Sequence, residues 1–169
     1  MKNYLIFRTD RIGDFLLTCI LIKNIRSNDP NSSITIVCSK KNYDYISRYK
    51  GIDQVIIYKK NLLSYFFNFL KLFKKKFDYS IIHDDKDRSK ILNFLIRKKK
   101  TILIDKNKQK TKIDIIKNII SEIGFSYSEN DLNILDGKIN LLDKSKGKYV
   151  VFHYDEKWSH NSYFSNYTD

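Results

Sequence analysis

The segment from Arg8 to Asp14 (RTDRIGD) carries the residue types best suited to chemistry. It has one glycine where a dinucleotide fingerprint needs three, and it lacks the Gly-Lys-Ser/Thr ending of a P-loop. Its single Gly at a helix start leaves backbone N–H groups open to an anion. Asp14 falls in the first helical turn, where its carboxylate can act as a general base toward a hydroxyl group or can simply cap the helix. The residues alone leave both interpretations open.

Two later segments, His83 to Ser89 and His153 to Trp158, also follow short apolar runs. Ligands of open α/β sheets lie at the carboxyl ends of the strands, so all three segments are candidates for a binding site. Asp85 and Asp87 form an Asp-x-Asp pattern. Such a pair can draw a divalent ion or can belong to a polar turn before a helix. We predict the turn, and no metal.

Alternating apolar runs and helical periodicities place these segments in a fold. The apolar runs predict strands at residues 4–7, 34–38, 55–58, 79–83, 101–104 and 148–152. Helical spacing predicts helices at 14–26, 41–49, 62–75, 88–97 and 113–123, the last capped by Gly124. This alternation predicts an α/β, Rossmann-like fold with a mostly parallel sheet and helices on both faces.

The composition excludes several classes of protein. At 169 residues and 20.2 kDa the chain fits one domain and the start of a second. A hydrophobic fraction of 42% excludes disorder of the whole chain, since it suffices for a core. No apolar run approaches the roughly 20 residues of a membrane-spanning helix. Cys19 and Cys38 lie in apolar stretches without metal-ligand spacing, which predicts buried thiols in a reducing cytoplasm.

The net charge of +13 has two explanations. It indicates attraction to polyanions, such as nucleic acid, phosphorylated lipid or an anionic membrane face. Alternatively, it reflects a composition rich in Lys, Asn and Ile throughout, as AT-rich coding DNA produces. The net charge by itself does not decide between these two explanations.

The segment from Arg8 to Asp14, followed by Phe-Leu-Leu-Thr, resembles the opening of bacterial glycosyltransferase family 9, the lipopolysaccharide heptosyltransferases that use ADP-heptose. Later passages are similar to that family in the same order: Asp29 to Val37, Gly51 to Ile56, Phe77 to Ile82, and Arg88-Ser89. The resemblance spans nearly the whole chain, and its first motif is the specific one.

This resemblance implies a GT-B fold of two Rossmann-like lobes and an inverting transfer that needs neither metal nor cofactor. The first lobe would bind a phosphorylated, lipid-linked glycan acceptor, and the second a nucleotide-sugar such as ADP-heptose. Asp14 would be the catalytic base. The implied acceptor-binding residues are Thr9, Arg11, Gly13, Arg88 and Ser89.

The resemblance also divides the chain into an acceptor-side domain (1–125), a linker (126–147) and the start of a truncated donor-binding domain (148–169). Lys157 would contact donor phosphates, although it abuts Trp158 directly and follows the acidic pair Asp155-Glu156, so a plain surface lysine is the alternative. A truncated reading frame, a fragment and a separate chain carrying the donor lobe all remain open.

A protein of another class, a basic α/β module without catalysis, is the rival prediction. The stretch from Arg97 to Lys100 suits nucleic acid, but the lysines are scattered and lack interleaved aromatic residues, so we do not expect nucleic acid as a partner. The same charges suit an anionic inner leaflet. A non-catalytic remnant or regulatory domain is a third alternative. We expect a cytoplasmic protein that associates peripherally with the inner face of the cytoplasmic membrane.

Overall fold

A computed structural model describes residues 1–58, 70–104 and 111–132. These residues belong to one compact unit, Met1–Asp136. The predicted strand at 148–152, the predicted donor-binding Lys157 and most of the predicted helix at 62–75 lie outside the described residues.

Five parallel strands form a single sheet. They are β1 (Asn3–Arg8), β2 (Ser33–Ser39), β3 (Gln54–Tyr58), β4 (Phe77–Ile82) and β5 (Lys98–Leu103). Their order across the sheet is β3-β2-β1-β4-β5, and every neighbouring pair is parallel. The predicted Rossmann-like α/β sheet is confirmed, with β1 at its centre between β2 and β4.

The helices are α1 (Ile12–Asn28), α2 (Tyr43–Ile46), α3 (Asp87–Phe94) and α4 (Lys112–Glu122), followed by a 3-10 helix (Glu129–Leu132). α4 begins with a capping box between Thr111 and Asp114. It ends at Glu122, and the predicted capping glycine, Gly124, follows two residues later. There φ is +88°, and the N–H groups of residues 124 and 125 donate to the carbonyls of Ser121 and Ile120, both at 3.0 Å. This is the Schellman arrangement, which favours Gly.

Three predicted elements, α2, β5 and α3, differ most from their predicted bounds. α2 is much shorter than 41–49. It starts only after Asn42, because the side chain of Asn42 accepts the backbone N–H of Ser39 and donates to the carbonyl of Arg8, both at 2.9 Å. β5 begins at Lys98 rather than 101, and α3 ends at Phe94 rather than 97. Pairing with β4 fixes that register, and an edge strand tolerates lysines because their long side chains reach water.

The core lies on both faces of the sheet. Alternate residues of β1 point to opposite sides, so Tyr4 and Ile6 pack under α1 and α4, whereas Leu5 and Phe7 pack on the side of α3. Both cysteines are buried and free, as predicted. Burial raises the pKa of each thiol to about 12, so they are unreactive core residues.

Residues after Gly124 still pack on the domain. The side chain of Asn24 in α1 donates to the carbonyl of Ser126 at 2.9 Å and to Asp131 Oδ2 at 2.7 Å. The described start of the predicted linker is thereby fastened to α1. Of the helices among the described residues, none is long and apolar enough to cross a bilayer.

Candidate functional site at the carboxyl ends of β1 and β4

The candidate site forms where β1 and β4 end side by side. Both strands are parallel neighbours, with Phe7 opposite Ile82, so their following loops emerge at the same edge. The segments from Thr9 to Asp14 and from His83 to Ser89 are therefore in contact, although about 75 residues separate them in the chain. A small open depression here is lined in part by Arg8, Asp10 and Lys112.

The buried carboxylate of Asp84 ties the two loops together. Its Oδ2 accepts the backbone N–H of Thr9 at 3.1 Å, the Thr9 hydroxyl at 2.5 Å and the Ser89 hydroxyl at 2.8 Å. Asp84 and Ser89 are 5% and 2% exposed. Ser89, predicted to bind acceptor, thus turns its hydroxyl inward to hold Asp84.

Arg88 lies against the same loop. Its guanidinium donates to the Thr9 hydroxyl at 2.7 and 3.2 Å and to the Thr9 carbonyl at 3.1 Å. It also lies 5.4 Å from the ring centroid of Tyr58, within cation–π range. Arg88 and Thr9, both predicted for the acceptor pocket, are brought together. Part of the donor capacity of Arg88 already serves to hold the β1–α1 loop.

A second polar cluster lies beneath the loop. Arg8, 4% exposed, donates from Nε to Thr18 Oγ1 at 2.7 Å, and the same oxygen lies 3.0 Å from His83 Nδ1. Burial lowers the pKa of His83 well below its usual range, and the cations Arg8 and Lys112 lower it further. His83 is therefore a neutral imidazole, not a cation for binding phosphate.

Asp14 stands in the first turn of α1, half-buried, directly after the loop that follows β1. Arg11, with an extended backbone, is the N-cap residue just before α1, and no side chain caps the helix there. Within the described part of the chain, the Asp14 carboxylate has no hydrogen bond or ion pair. Capping, the alternative open from sequence, is not what this carboxylate does.

Asp10 is a second carboxylate beside Asp14. It makes an ion pair with Arg8 at 2.8 Å, while its other oxygen, Oδ1, is buried without a hydrogen-bond partner in the described structure. Burial raises the pKa of Asp10 and the charge of Asp14 raises it further, whereas Arg8 lowers it. The loop thus holds one paired and one unpaired carboxylate close together.

Arg11 and Gly13, the remaining predicted acceptor residues, are exposed at the tip of the loop and the start of α1. A methyl group added at Gly13 would meet no protein atom within 4 Å. The backbone at Gly13, the residue before Asp14, is therefore open to solvent.

The Asp-x-Asp pattern forms a turn before α3. Asp85 has a left-handed backbone, with φ of 49°, and Lys90 makes ion pairs with Asp85 at 3.0 Å and Asp87 at 3.6 Å. In the ranges that the structure describes, no three acidic, His or Cys side chains are grouped to hold a metal.

Sequence reasoning placed Arg8, His83 and Asp84 in candidate binding segments, but it did not predict that they, with Thr18 and Asn42, hold the loops together. Thr18 and Asn42 had a weak signal, because each is a polar residue at a position that the surrounding pattern marks as buried. Their partners could not be read from the chain, since those partners lie 10 to 65 residues away.

The sheet order and the parallel strands define an α/β, Rossmann-like lobe. Among solved structures, the fold resembles Escherichia coli heptosyltransferase WaaC with ADP: the TM-score is 0.66 at 15% identity, over 75% of this chain and 49% of that one. The structure of WaaC with ADP-2-deoxy-2-fluoro heptose gives a TM-score of 0.65 at 15% identity, over 75% and 50%.

A glycosyltransferase of family 9 from Veillonella parvula gives a TM-score of 0.63 at 19% identity, over 76% of this chain and 42% of that one. At these identities the likeness is one of fold, and this chain spans about half the length of each solved chain. No protein-family model matches the sequence, and no curated protein matches it.

Proposed function

We propose that this chain is the acceptor-side lobe of a glycosyltransferase that moves a sugar from a nucleotide-sugar to a hydroxyl of a phosphorylated, lipid-linked glycan. The sugar would be a heptose or a related sugar from an ADP-linked donor. A donor-binding lobe, in this polypeptide or in a separate chain, would complete the site.

One observation carries this proposal: the Asp14 carboxylate. It is half-buried at the carboxyl edge of the sheet, and no described residue forms an ion pair or hydrogen bond with it. Beside it lies open space at Gly13. A carboxylate that neither caps its helix nor pairs with a cation is free to accept a proton from a bound alcohol.

In the proposed step, Asp14 removes the proton of the acceptor hydroxyl as its oxygen attacks the anomeric carbon of the donor sugar. A new C–O bond forms, the bond from that carbon to the diphosphate breaks, and the nucleoside diphosphate leaves. Attack opposite to the leaving group inverts the configuration. The step balances without an oxidant or reductant, because the leaving nucleoside diphosphate carries the bonding electrons away.

The neighbouring residues support this arrangement in different ways. Thr9 is held rigidly by Asp84 and Arg88, so the loop before Asp14 keeps its shape. Arg11 and Gly13 border the open space, where an acceptor can approach. Arg88 is half-buried, and the guanidinium N–H groups that do not bond to Thr9 can donate to an acceptor phosphate. Lys157 as a donor contact stays a prediction.

The test joins this chain to a family 9 donor lobe, by fusion or as a separate polypeptide, and measures consumption of ADP-heptose with a phosphorylated inner-core acceptor. We expect Asp14→Asn to lower the rate constant of transfer by about 100-fold or more, since a positioned general base contributes 10²–10⁴-fold. Circular dichroism and the melting temperature should stay unchanged, because the carboxylate makes no contact that stabilises the described fold.

Asp44→Asn is the matched control. Asp44 is likewise an acid in the first turn of a helix, but it is exposed and belongs to α2, beyond β2. Its variant should transfer at the parental rate. Full turnover by Asp14→Asn would refute Asp14 as the base. Absence of transfer in the parent with several sugar donors would refute the proposed activity.

A further inference from the structure

The outward side of α3 exposes three large apolar side chains. Ile91, Phe94 and Leu95 are 58%, 82% and 42% exposed. They are spaced three and four residues apart, so they share one side of the helix, which we call the α3 apolar face. Leu92, and Ile96 just after the helix, are buried and pack on the sheet. Contiguous exposed apolar side chains of this size mark a contact surface.

Cations border this face where β4 and β5 begin. The two strand starts are joined, since the N–H of Phe77 donates to the carbonyl of Arg97 at 2.9 Å. The cations of these two starts, which we call the basic edge, are Lys74, Lys75, Lys76, Arg97, Lys98 and Lys99. All are exposed except Lys98, which is half-buried. The nearby Asp78 makes an ion pair with Lys99 at 2.6 Å and accepts the backbone N–H of Asn3 at 2.8 Å.

The apolar face and the basic edge are continuous. Only Ile96 separates Leu95 from Arg97, and the ammonium of Lys98 donates to the carbonyls of Asn93 and Phe94 at the end of α3. The ammonium of Lys98 thus lies at the backbone of Phe94, whose side chain is the most exposed aromatic one among the described residues.

We propose that the α3 apolar face and the basic edge dock on the surface of an anionic lipid bilayer. An apolar helix face with a basic border is the combination that lies in the interface, with the side chains among the acyl chains and the cations at the lipid phosphates. Nucleic acid would engage the cations but leave Phe94 and Ile91 in water. This inference does not depend on Asp14 or on transfer activity.

Docking in this way would place the candidate site beside the bilayer. Arg88, in the first turn of α3, contacts Thr9 in the site. It precedes Phe94 by six residues, about 9 Å along the helix. With α3 lying along the membrane surface, the edge that carries Asp14 opens near lipid headgroups. This consequence, unlike the docking itself, rests on the proposed function, because it suits a lipid-linked acceptor.

The test uses the full chain and large vesicles, either of phosphatidylglycerol and phosphatidylcholine in equal parts or of phosphatidylcholine alone. We expect co-sedimentation with the anionic vesicles only, weakened by salt. Phe94→Ser should weaken the partition by about tenfold, since burial of a Phe side chain contributes that much. Lys74→Gln with Lys76→Gln should weaken it by about fivefold for each lysine.

Leu132→Ser is the matched control, because Leu132 is 45% exposed but follows α4, whose buried face packs on the other side of the sheet. It should bind like the parent, and so should Asp14→Asn. Docking is refuted if the parent protein does not co-sediment with anionic vesicles. It is also refuted if Phe94→Ser and Leu132→Ser lose binding equally. Binding to duplex DNA that Phe94→Ser leaves intact, without vesicle binding, would also overturn it in favour of nucleic acid.

Discussion

Asp84 holds Thr9 by two hydrogen bonds to one carboxylate oxygen, from the backbone N–H and from the hydroxyl. The two residues come from loops that follow different strands, so this contact fixes how β4 and β1 present the site. It also orients Thr9 to receive Arg88. The position of the loop just before Asp14 therefore depends on Asp84, an acid 70 residues later in the chain than Asp14.

The first prediction concerns this contact. Asp84→Asn replaces one acceptor oxygen by an N–H₂ group in a site that is 5% exposed and presents donors. We expect a loss of about 2–3 kcal/mol in the free energy of unfolding, measured by denaturant titration. Asp87→Asn, whose side chain is 93% exposed, should change it by less than about 0.5 kcal/mol. Equal midpoints for the two variants would contradict the role of Asp84.

The second prediction concerns two glycines with opposite requirements. Gly13→Ala should raise the free energy of unfolding by about 0.4–1 kcal/mol, because the added methyl meets open space within a helix. Gly124→Ala should lower it by about 1–2 kcal/mol, because φ there is +88°. If Gly13 borders the acceptor, its Ala variant should also bind acceptor more weakly, as measured by calorimetry. Equal destabilisation at both positions would be inconsistent with this geometry.

The third prediction concerns His83 and pH. Because its folded pKa is lowered, the unfolded chain binds a proton that the folded chain does not, so stability falls as the pH drops below about 6.5. The slope can reach about 1.4 kcal/mol per pH unit. His83→Gln should remove this part of the slope, whatever its effect at neutral pH. Parallel stability curves for parent and variant would show that His83 titrates normally.

The fourth prediction concerns Asp10, whose pKa is shifted the other way. Its folded pKa lies above the ordinary 3.8, so its contribution favours folding at acid pH and is lost as the pH rises through the raised value. Asp10→Asn cannot ionise. Relative to the variant, the parent should therefore lose stability between strongly acid and neutral pH. Urea titrations across that range measure the difference, and a constant difference would contradict the raised pKa.

Local patterns were enough to predict much of this protein. Apolar runs such as residues 4–7 and 34–38 mark strands because both faces of a parallel sheet are buried. Gly124 marks a helix end because few other residues adopt its backbone conformation. The segment from Arg8 to Asp14 could also be recognised from the sequence, because its residue types and its place at a strand–helix junction are local features of the chain. Strand order, by contrast, depends on which apolar surfaces pack together across the whole chain.

Only the tertiary structure decided what the site residues do. Placing β4 next to β1 gave Thr9 its partners Asp84 and Arg88, turned Ser89 inward, and left Asp14 without a described partner. Hydrogen bonds over such sequence separations follow from three-dimensional neighbours, and no periodicity along the chain encodes them. The same holds for α3, where packing of Leu92 against the sheet determines that Phe94 faces outward.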